Sequence, residues 1–405
     1  MPYRRSLSTL CAPGLRRRRA TDRWHVPRNG ATISIDAAFL LYCVTPCRED
    51  NHCRGLASRL WHVGGNKVDE HFQRETESLR RAWMKHDRGL LRDYLVQDVE
   101  DPRINVQSLL ARHFLIGQLL PGRFAALAEH ELRFALAMNW LLAITKSPGW
   151  VNPRASAVLG ALVDGAADAE GMRIPRHVAE TFTMLPAEAD GLRVPDYLSD
   201  ALAWMAGNLT DVPLPGPVLA TFQVLWRSVF DRAQGPPIRV LEPACGSAND
   251  YRFLDAFGVA RFLDYTGLDL GEKNIRNARA MFPGVRFEVG NVLEIPAADK
   301  AFDCFFVHDL FEHLSIGAME RAVAEVCRVA CGGCVGFFSM HGGAAHVVRP
   351  AGDYYVNLLS APATGAVFRR HGASVEAVRI DAMLRARYGG AETHNKNAYT
   401  FLIRF

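Results

Sequence analysis

The chain has no apolar run near the roughly 18 residues that a helix needs to cross a bilayer. Its longest candidates, residues 37–44 and 132–144, are short or broken by polar side chains. No membrane span is expected. It also lacks a long apolar stretch directly behind its basic N-terminus, as a secretory signal would have, so cytoplasmic residence is expected. Positive charge is scarce where a nucleic-acid surface would need it. The net charge is +4, yet eight arginines stand in the first 35 residues against Asp22 alone. The remainder is slightly acidic, which argues against nucleic acid as a partner. The Arg-rich, acid-poor residues 1–35 read as disordered, as a transit-like peptide or as an over-extended gene start, and residues 1–67 together as a disordered or over-extended N-terminal segment.

Nine cysteines without a signal peptide point to reduced thiols. Cys43, Cys47 and Cys53, with His52, match no common zinc spacing. Cys327, Cys331 and Cys334 have the C-x3-C-x2-C spacing that holds an iron–sulfur cluster in some enzymes. However, Cys327 falls late in an amphipathic helix, and Cys331-Gly332-Gly333-Cys334 reads as the turn before a strand. No metal site is expected.

What is present divides into two patterns. Residues 68–234 are helical in pattern, with Pro and Gly as punctuation. Asp101-Pro102 reads as the cap of a helix over 103–116. Residues 132–144 read as a buried central helix in which His130, Arg133 and Asn139 are satisfied polar groups. The proline-rich stretch 212–217 is a stiff linker, so the expected domains are an α-helical one at 68–216 and an α/β one at 217–405. After Pro237 strands and helices alternate, as in a doubly wound sheet. Seven strands are expected at 238–242, 265–269, 285–289, 302–308, 335–340, 374–380 and 399–405. Helices are expected at 248–257, 272–281 and 316–329.

The first strand runs into Glu242-Pro243-Ala244-Cys245-Gly246-Ser247-Ala248, and the second ends at Asp269-Leu270. A strand, a turn of small residues, a helix and an acid some twenty positions on form a nucleoside cradle. A dinucleotide site would want G-x-G-x-x-G, and only Gly246 is here. This loop resembles motif I, (D/E)-x-G-x-G-x-G, of class I S-adenosylmethionine (SAM) methyltransferases, with alanine at two of the three glycine positions. The resemblance spans about residues 230–405. It implies a Rossmann-like seven-stranded sheet with an antiparallel last strand, SAM as cofactor, and a methyl acceptor. It also implies that Glu242 and the loop through Ala244, Cys245 and Gly246 hold the methionine part, while Asp269, beside Leu270, grips the ribose.

Gly290-Asn291-Val292 stands where the family commonly has Gly-Asp-Ala, so by resemblance Asn291 and Val292 meet the adenine. Residues 301–314, with Phe302-Asp303 and Leu310-Phe311-Glu312-His313-Leu314, resemble the family's F-D-x-V…L-E-H-L segment. His308 and Asp309 fall at the carboxyl edge of the strand, where ligands bind in such sheets, and His308 is placed with the cofactor residues. Methyl transfer needs a base only if the acceptor must lose a proton. His313, Asp309 and His341 are the catalytic candidates by location. Residues 346–357 form a polar and aromatic loop where substrate specificity is expected, and residues 393–397 a turn or a second pocket wall. The expected function is methyl transfer to O or N of a small molecule. The helical domain would lid the site or form a homodimer. Two rival readings are a catalytically silent SAM-binding protein and an NAD-dependent oxidoreductase.

Overall fold

A computed structural model describes residues 103–145, 158, 161, 164–169, 171–184, 219–352, 354–389 and 395–405. The expectations for residues 1–67, for the cysteines at 43, 47 and 53, for the linker and for Asp101-Pro102 lie outside these. Among the described residues no helix is long and apolar enough to cross a membrane.

The expected α/β organisation is found. Strand β3 (Ile238–Pro243) leads into helix α5 (Asn249–Ala256), then β4 (Leu263–Asp269), α6 (Glu272–Met281), β5 (Arg286–Val289), β6 (Cys304–His308), α7 (Ile316–Val329) and β7 (Gly332–Phe337). Four two-residue strands follow, β8 (Met340–His341), β9 (Pro350–Ala351), β10 (Tyr354–Tyr355) and β11 (Leu359–Ser360), and the last units are α8 (Ala361–Arg370), β12 (Ser374–Arg379), α9 (Ile380–Tyr388) and β13 (Tyr399–Arg404). The seven longer strands form one sheet in the order β12-β13-β7-β6-β3-β4-β5. Only β13 runs antiparallel to its neighbours. The chain winds outward from β3 to β5, then returns to β6 on the other side of β3. That reversal opens a crevice beyond the carboxyl ends of β3 and β6.

Alternate residues of the central strands feed two cores. Val240, Cys304, Phe306 and Cys334 join one face, while Leu241, Phe305, Val307 and Val335 join the other beneath α7 and α8. Both faces are covered, so these strands are apolar throughout. Cys327 belongs to the second core and Cys334 to the first. The sheet lies between them, so the C-x3-C-x2-C cysteines do not converge.

Three expectations need correction. Gly332 and Gly333 are not a turn; they open β7, because a Cβ on Gly333 would lie 2.4 Å from the Phe305 ring. Only a bare backbone lets the two strands approach there. The strand expected at 374–380 ends at Arg379, because Ile380 opens α9, a helix that was not expected and that Gly389 closes at φ 76°. The helix expected at 103–116 starts at Val106, as α1 (Val106–Leu119). Its cap is Asn105, whose Oδ1 accepts from the amides of Gln107 and Ser108 at 2.9 and 3.0 Å.

The region before the sheet contributes α1, α2 (Ala125–Thr145), α3 (Arg176–Thr183) and α4 (Thr221–Phe230). It also contains a small hairpin of β1 (Asp168–Ala169) and β2 (Met172–Arg173), an exception to the all-helical expectation. Helices α1, α2 and α4 share the first core with the sheet, and α1 and α2 also meet α9 and β12 through Val106, Leu110, Leu132, Leu136 and Met383. Of the polar residues expected to be satisfied on α2, Arg133 bonds Glu129 and Asn139 bonds the Ile104 carbonyl. His130 Nδ1 is buried without a partner.

Between the helices lies a charge cluster that sequence reasoning missed. Glu131 accepts from Arg112 Nη1 and Nη2 at 2.8 and 2.9 Å, from His113 Nε2 at 2.7 Å and from Trp226 Nε1 at 2.6 Å. Arg112 stacks on Phe257, 3.6 Å from the ring centre. Every acceptor site of the carboxylate is used, which is what permits its complete burial.

Candidate cofactor and active site

The loop after β3 takes the cradle shape despite its alanines. Ala244, Gly246 and Ala248 all have positive φ, at 57°, 54° and 67°. An L-residue in this region costs about 1–2 kcal/mol. Ala248 offsets part of that by burying its methyl in the first core, whereas Ala244 is only half-buried. Ala244→Gly is therefore expected to raise stability by about 0.5–1 kcal/mol, the relieved strain less the added chain entropy. Urea unfolding would measure it. A Cβ on Gly246 would meet nothing within 4 Å, so the loop opens on free space. Cys245 points the other way. It is buried against Gly267, and burial first, then Glu242, pushes its thiol well up.

Asp269 ends β4 and ties the crevice together. Its Oδ2 accepts from the Gly246 amide at 3.0 Å, and its Oδ1 accepts from the Gly271 amide at 2.7 Å and from Asn274 Nδ2 at 3.1 Å. Three of about four acceptor positions are taken, leaving one on Oδ2. Burial raises its pKa, while those three donors pull it back. On the next loop, Asn291 Oδ1 accepts from the Leu293 amide at 3.0 Å. Leu270 and Val292 are half-buried and pack against the second core.

At the end of β6 the structure builds more than was expected. His308 Nδ1 lies 2.7 Å from Asp250 Oδ2, in the first turn of α5. Tyr265 donates its hydroxyl to Glu242 Oε2, and the charge of Asp250 acts on the same carboxyl. Glu242 is 3% exposed; burial, then the charge of Asp250, raises its pKa well above the usual carboxylate range. It is turned inward, beneath the loop rather than into the crevice. Burial lowers the pKa of His308, but Asp250, Asp309 and Glu312 outweigh it and the net shift is upward.

Asp309 follows with φ 49° and an exposed surface. Lost hydration at this crowded strand end, then the like charge of Glu312, push it up, and its exposure moderates the effect. Glu312 is 2% exposed, and neither of its carboxylate oxygens has a hydrogen-bond partner. His313 Nδ1 bonds the Tyr355 carbonyl at 3.0 Å and its ring faces Tyr354, so it braces the 346–357 loop. That loop is itself pinned by the buried Asn357, which bonds the Leu314 carbonyl. His341 sits apart, on β8 (Met340–His341), with His346 beside it. Its Nδ1 accepts from the Gly343 amide at 3.0 Å. Thus Asp309 and His313 gather around His308, and His341 does not. Asp250 and Tyr265 were not foreseen, and Glu312 was noted only as part of the segment that resembles L-E-H-L. Asp250 carried a signal as an acid just inside the helix that follows the cradle.

The sheet order, its single antiparallel strand and the cradle at the switch point are those of a class I SAM-dependent methyltransferase domain. The sequence agrees: residues 240–333 match the model of a family described as "Methyltransferase domain". No curated protein matches the chain. Among solved structures, it is similar to an S-adenosylmethionine-dependent methyltransferase from Mesorhizobium loti, at 19% identity over 42% of this chain and 92% of that one, with a TM-score of 0.32. It is also similar to the Burkholderia thailandensis 1,6-didemethyltoxoflavin-N1-methyltransferase, at 15% identity over 45% and 76% of the two chains, with a TM-score of 0.30. At such scores the likenesses carry no weight for function.

Proposed function

We propose that the protein transfers a methyl group from SAM to an oxygen or nitrogen atom of a small molecule. The observation that supports this most is the Gly246–Asp269 contact: the open loop and the acid of the next strand are locked together, with one carboxylate position left for a ribose hydroxyl. Bound there, SAM would supply an electrophilic methyl carbon. The loop at 244–248 would wrap its methionine part, Asp269 would hold the ribose, and Asn291 and Val292 would border the adenine. The protein's own contribution is alignment and exclusion of water, which can supply most of the rate in such a displacement. Helix α1 supports that role, since Gln107 reaches the carboxyl edge of the sheet and bonds the Tyr399 carbonyl. The slightly acidic remainder of the chain favours a small acceptor over nucleic acid. Calorimetric titration with SAM, S-adenosylhomocysteine and NAD tests this reading. Binding of both adenosyl ligands at about micromolar Kd, with none of NAD, is expected; no adenosyl binding would end it.

A further inference from the structure

We infer that His308, oriented by Asp250, is the proton acceptor of the active site, and that the methyl acceptor is accordingly a hydroxyl compound such as a phenol or enol. The inference rests on the methyl-transfer reading above.

The geometry is that of an oriented base. His308 Nδ1 and Asp250 Oδ2 are 2.7 Å apart. The proton on Nδ1 is thereby fixed toward the carboxylate, and the Nε2 lone pair is left as the acceptor. Among the described residues Nε2 has no hydrogen-bond partner, and the side chain keeps 14% of its surface exposed. Asp250 is itself positioned by its place in the first turn of α5.

A second observation is how closely the ring packs on the neighbouring strand, which holds it in place. Gly336 on β7 is bare where a Cβ would lie 2.2 Å from His308 Cδ2, 2.8 Å from His308 Nε2 and 2.6 Å from Gln107 Nε2. The imidazole and the Gln107 amide therefore converge over one glycine. Gln107 is 2% exposed, yet its Oε1 has no partner. Gln107 turns its Nε2 toward this point and donates it to the Tyr399 carbonyl, so the acceptor offered here to a hydroxyl donor is the Nε2 lone pair of His308.

The charged and titratable groups that face His308 are Asp250 on α5, Asp309 and Glu312 on its own turn, and Arg112 on α1, which lines the same small cavity. An imidazolium formed here would be stabilised by the Asp250 carboxylate in contact with it. An amine has its lone pair free once neutral, but a phenol must lose its proton to attack well. In the step, the acceptor oxygen forms its bond to the methyl carbon as the carbon–sulfur bond breaks, with that electron pair remaining on sulfur. The hydroxyl proton passes to His308 Nε2. The sulfonium becomes a neutral thioether and the histidine a cation paired with Asp250.

Nitrogen-15 NMR of the histidine rings in the full chain tests this, with His308→Gln identifying the resonance. The neutral ring is expected to carry its proton on Nδ1, with Nε2 unprotonated. Asp250→Asn should lower its midpoint by about one pH unit, a tenfold loss of proton affinity. A proton on Nε2, or a midpoint indifferent to Asp250→Asn, would overturn the assignment. Should that variant fail to fold, the wild-type tautomer alone still decides. S-adenosylhomocysteine should bind His308→Gln within about threefold of wild type; a loss beyond tenfold would make His308 a cofactor ligand and overturn the proposal. If wild type binds no S-adenosylhomocysteine, the methyl-transfer reading fails while the tautomer stands as measured.

Discussion

Replacing Glu131 by leucine is expected to destabilise the protein by about 3–5 kcal/mol, the usual cost of breaking a buried ion pair. Against a typical total of about 5–15 kcal/mol, that is a large share of the stability. The reason is arithmetic of partners. The change strands a guanidinium that is 2% exposed, together with the ring N–H groups of His113 and Trp226. The double variant Arg112→Met/Glu131→Leu should be less damaged than Glu131→Leu alone, because it leaves no unpaired charge. Two of the stranded donors remain in both, so the difference isolates the arginine. The acid response has a definite sign. Arg112 and the other donors hold Glu131 at about 2, below its usual 4.5, against the opposing effect of burial. The unfolded chain thus takes up the proton first, and stability is lost as pH falls from about 4.5 towards 2, by about 3 kcal/mol. His113 acts in the same direction, since burial lowers its pKa and protonation at acid pH favours unfolding. Guanidinium unfolding of wild type and both variants across that range would measure all of this. A flat profile, or equal losses in the two variants, would show that the cluster does not carry this stability.

The contrast between this cluster and the sheet explains what could be read from residues alone. The seven strands, and helices α6 and α7 with their expected bounds, were legible because their apolar periodicity and turn residues are local properties. The Asp269 end of β4 was legible because cradle spacing follows from one strand–turn–helix unit. Contacts across the sequence left no such trace. Asp250 and His308 are 58 residues apart, and Trp226 stands 95 from Glu131. On α1 and α2 the charged residues looked like interruptions of apolar helices, whereas they are each other's partners. Gly333 shows the same limit from the other side. A Gly-Gly pair suggests a turn, and only the Phe305 ring pressed against it shows why a strand needs it. Helix α9 did carry a local signal, in Ile380, Met383, Leu384 and Tyr388 before Gly389. Its first residue was absorbed into the preceding strand because β-branched residues suit both.

Asp269→Ala should weaken S-adenosylhomocysteine binding by at least about 100-fold, roughly 2.7 kcal/mol. Two losses combine. The variant removes the one carboxylate placed for ribose hydroxyls, a charge-assisted contact worth about 1.5–3 kcal/mol. It also frees the amides of Gly246 and Gly271 that the same carboxylate holds, so the loop must be ordered anew at each binding event. The second loss appears without ligand, as a fall in stability of about 1–3 kcal/mol. Asp269→Asn separates the two. Its amide oxygen can still accept from Gly271 and Asn274, but its NH2 would confront the Gly246 N–H, donor against donor. The loop should loosen on that side alone, with affinity between those of wild type and the alanine variant. Calorimetric titration beside thermal unfolding reads both quantities. If Asp269→Ala unfolded more easily yet bound S-adenosylhomocysteine as tightly as wild type, the carboxylate would be a strut of the loop and the ribose would be held elsewhere. Unchanged stability with lost affinity would mean the opposite, that the loop keeps its left-handed turns without help from the acid.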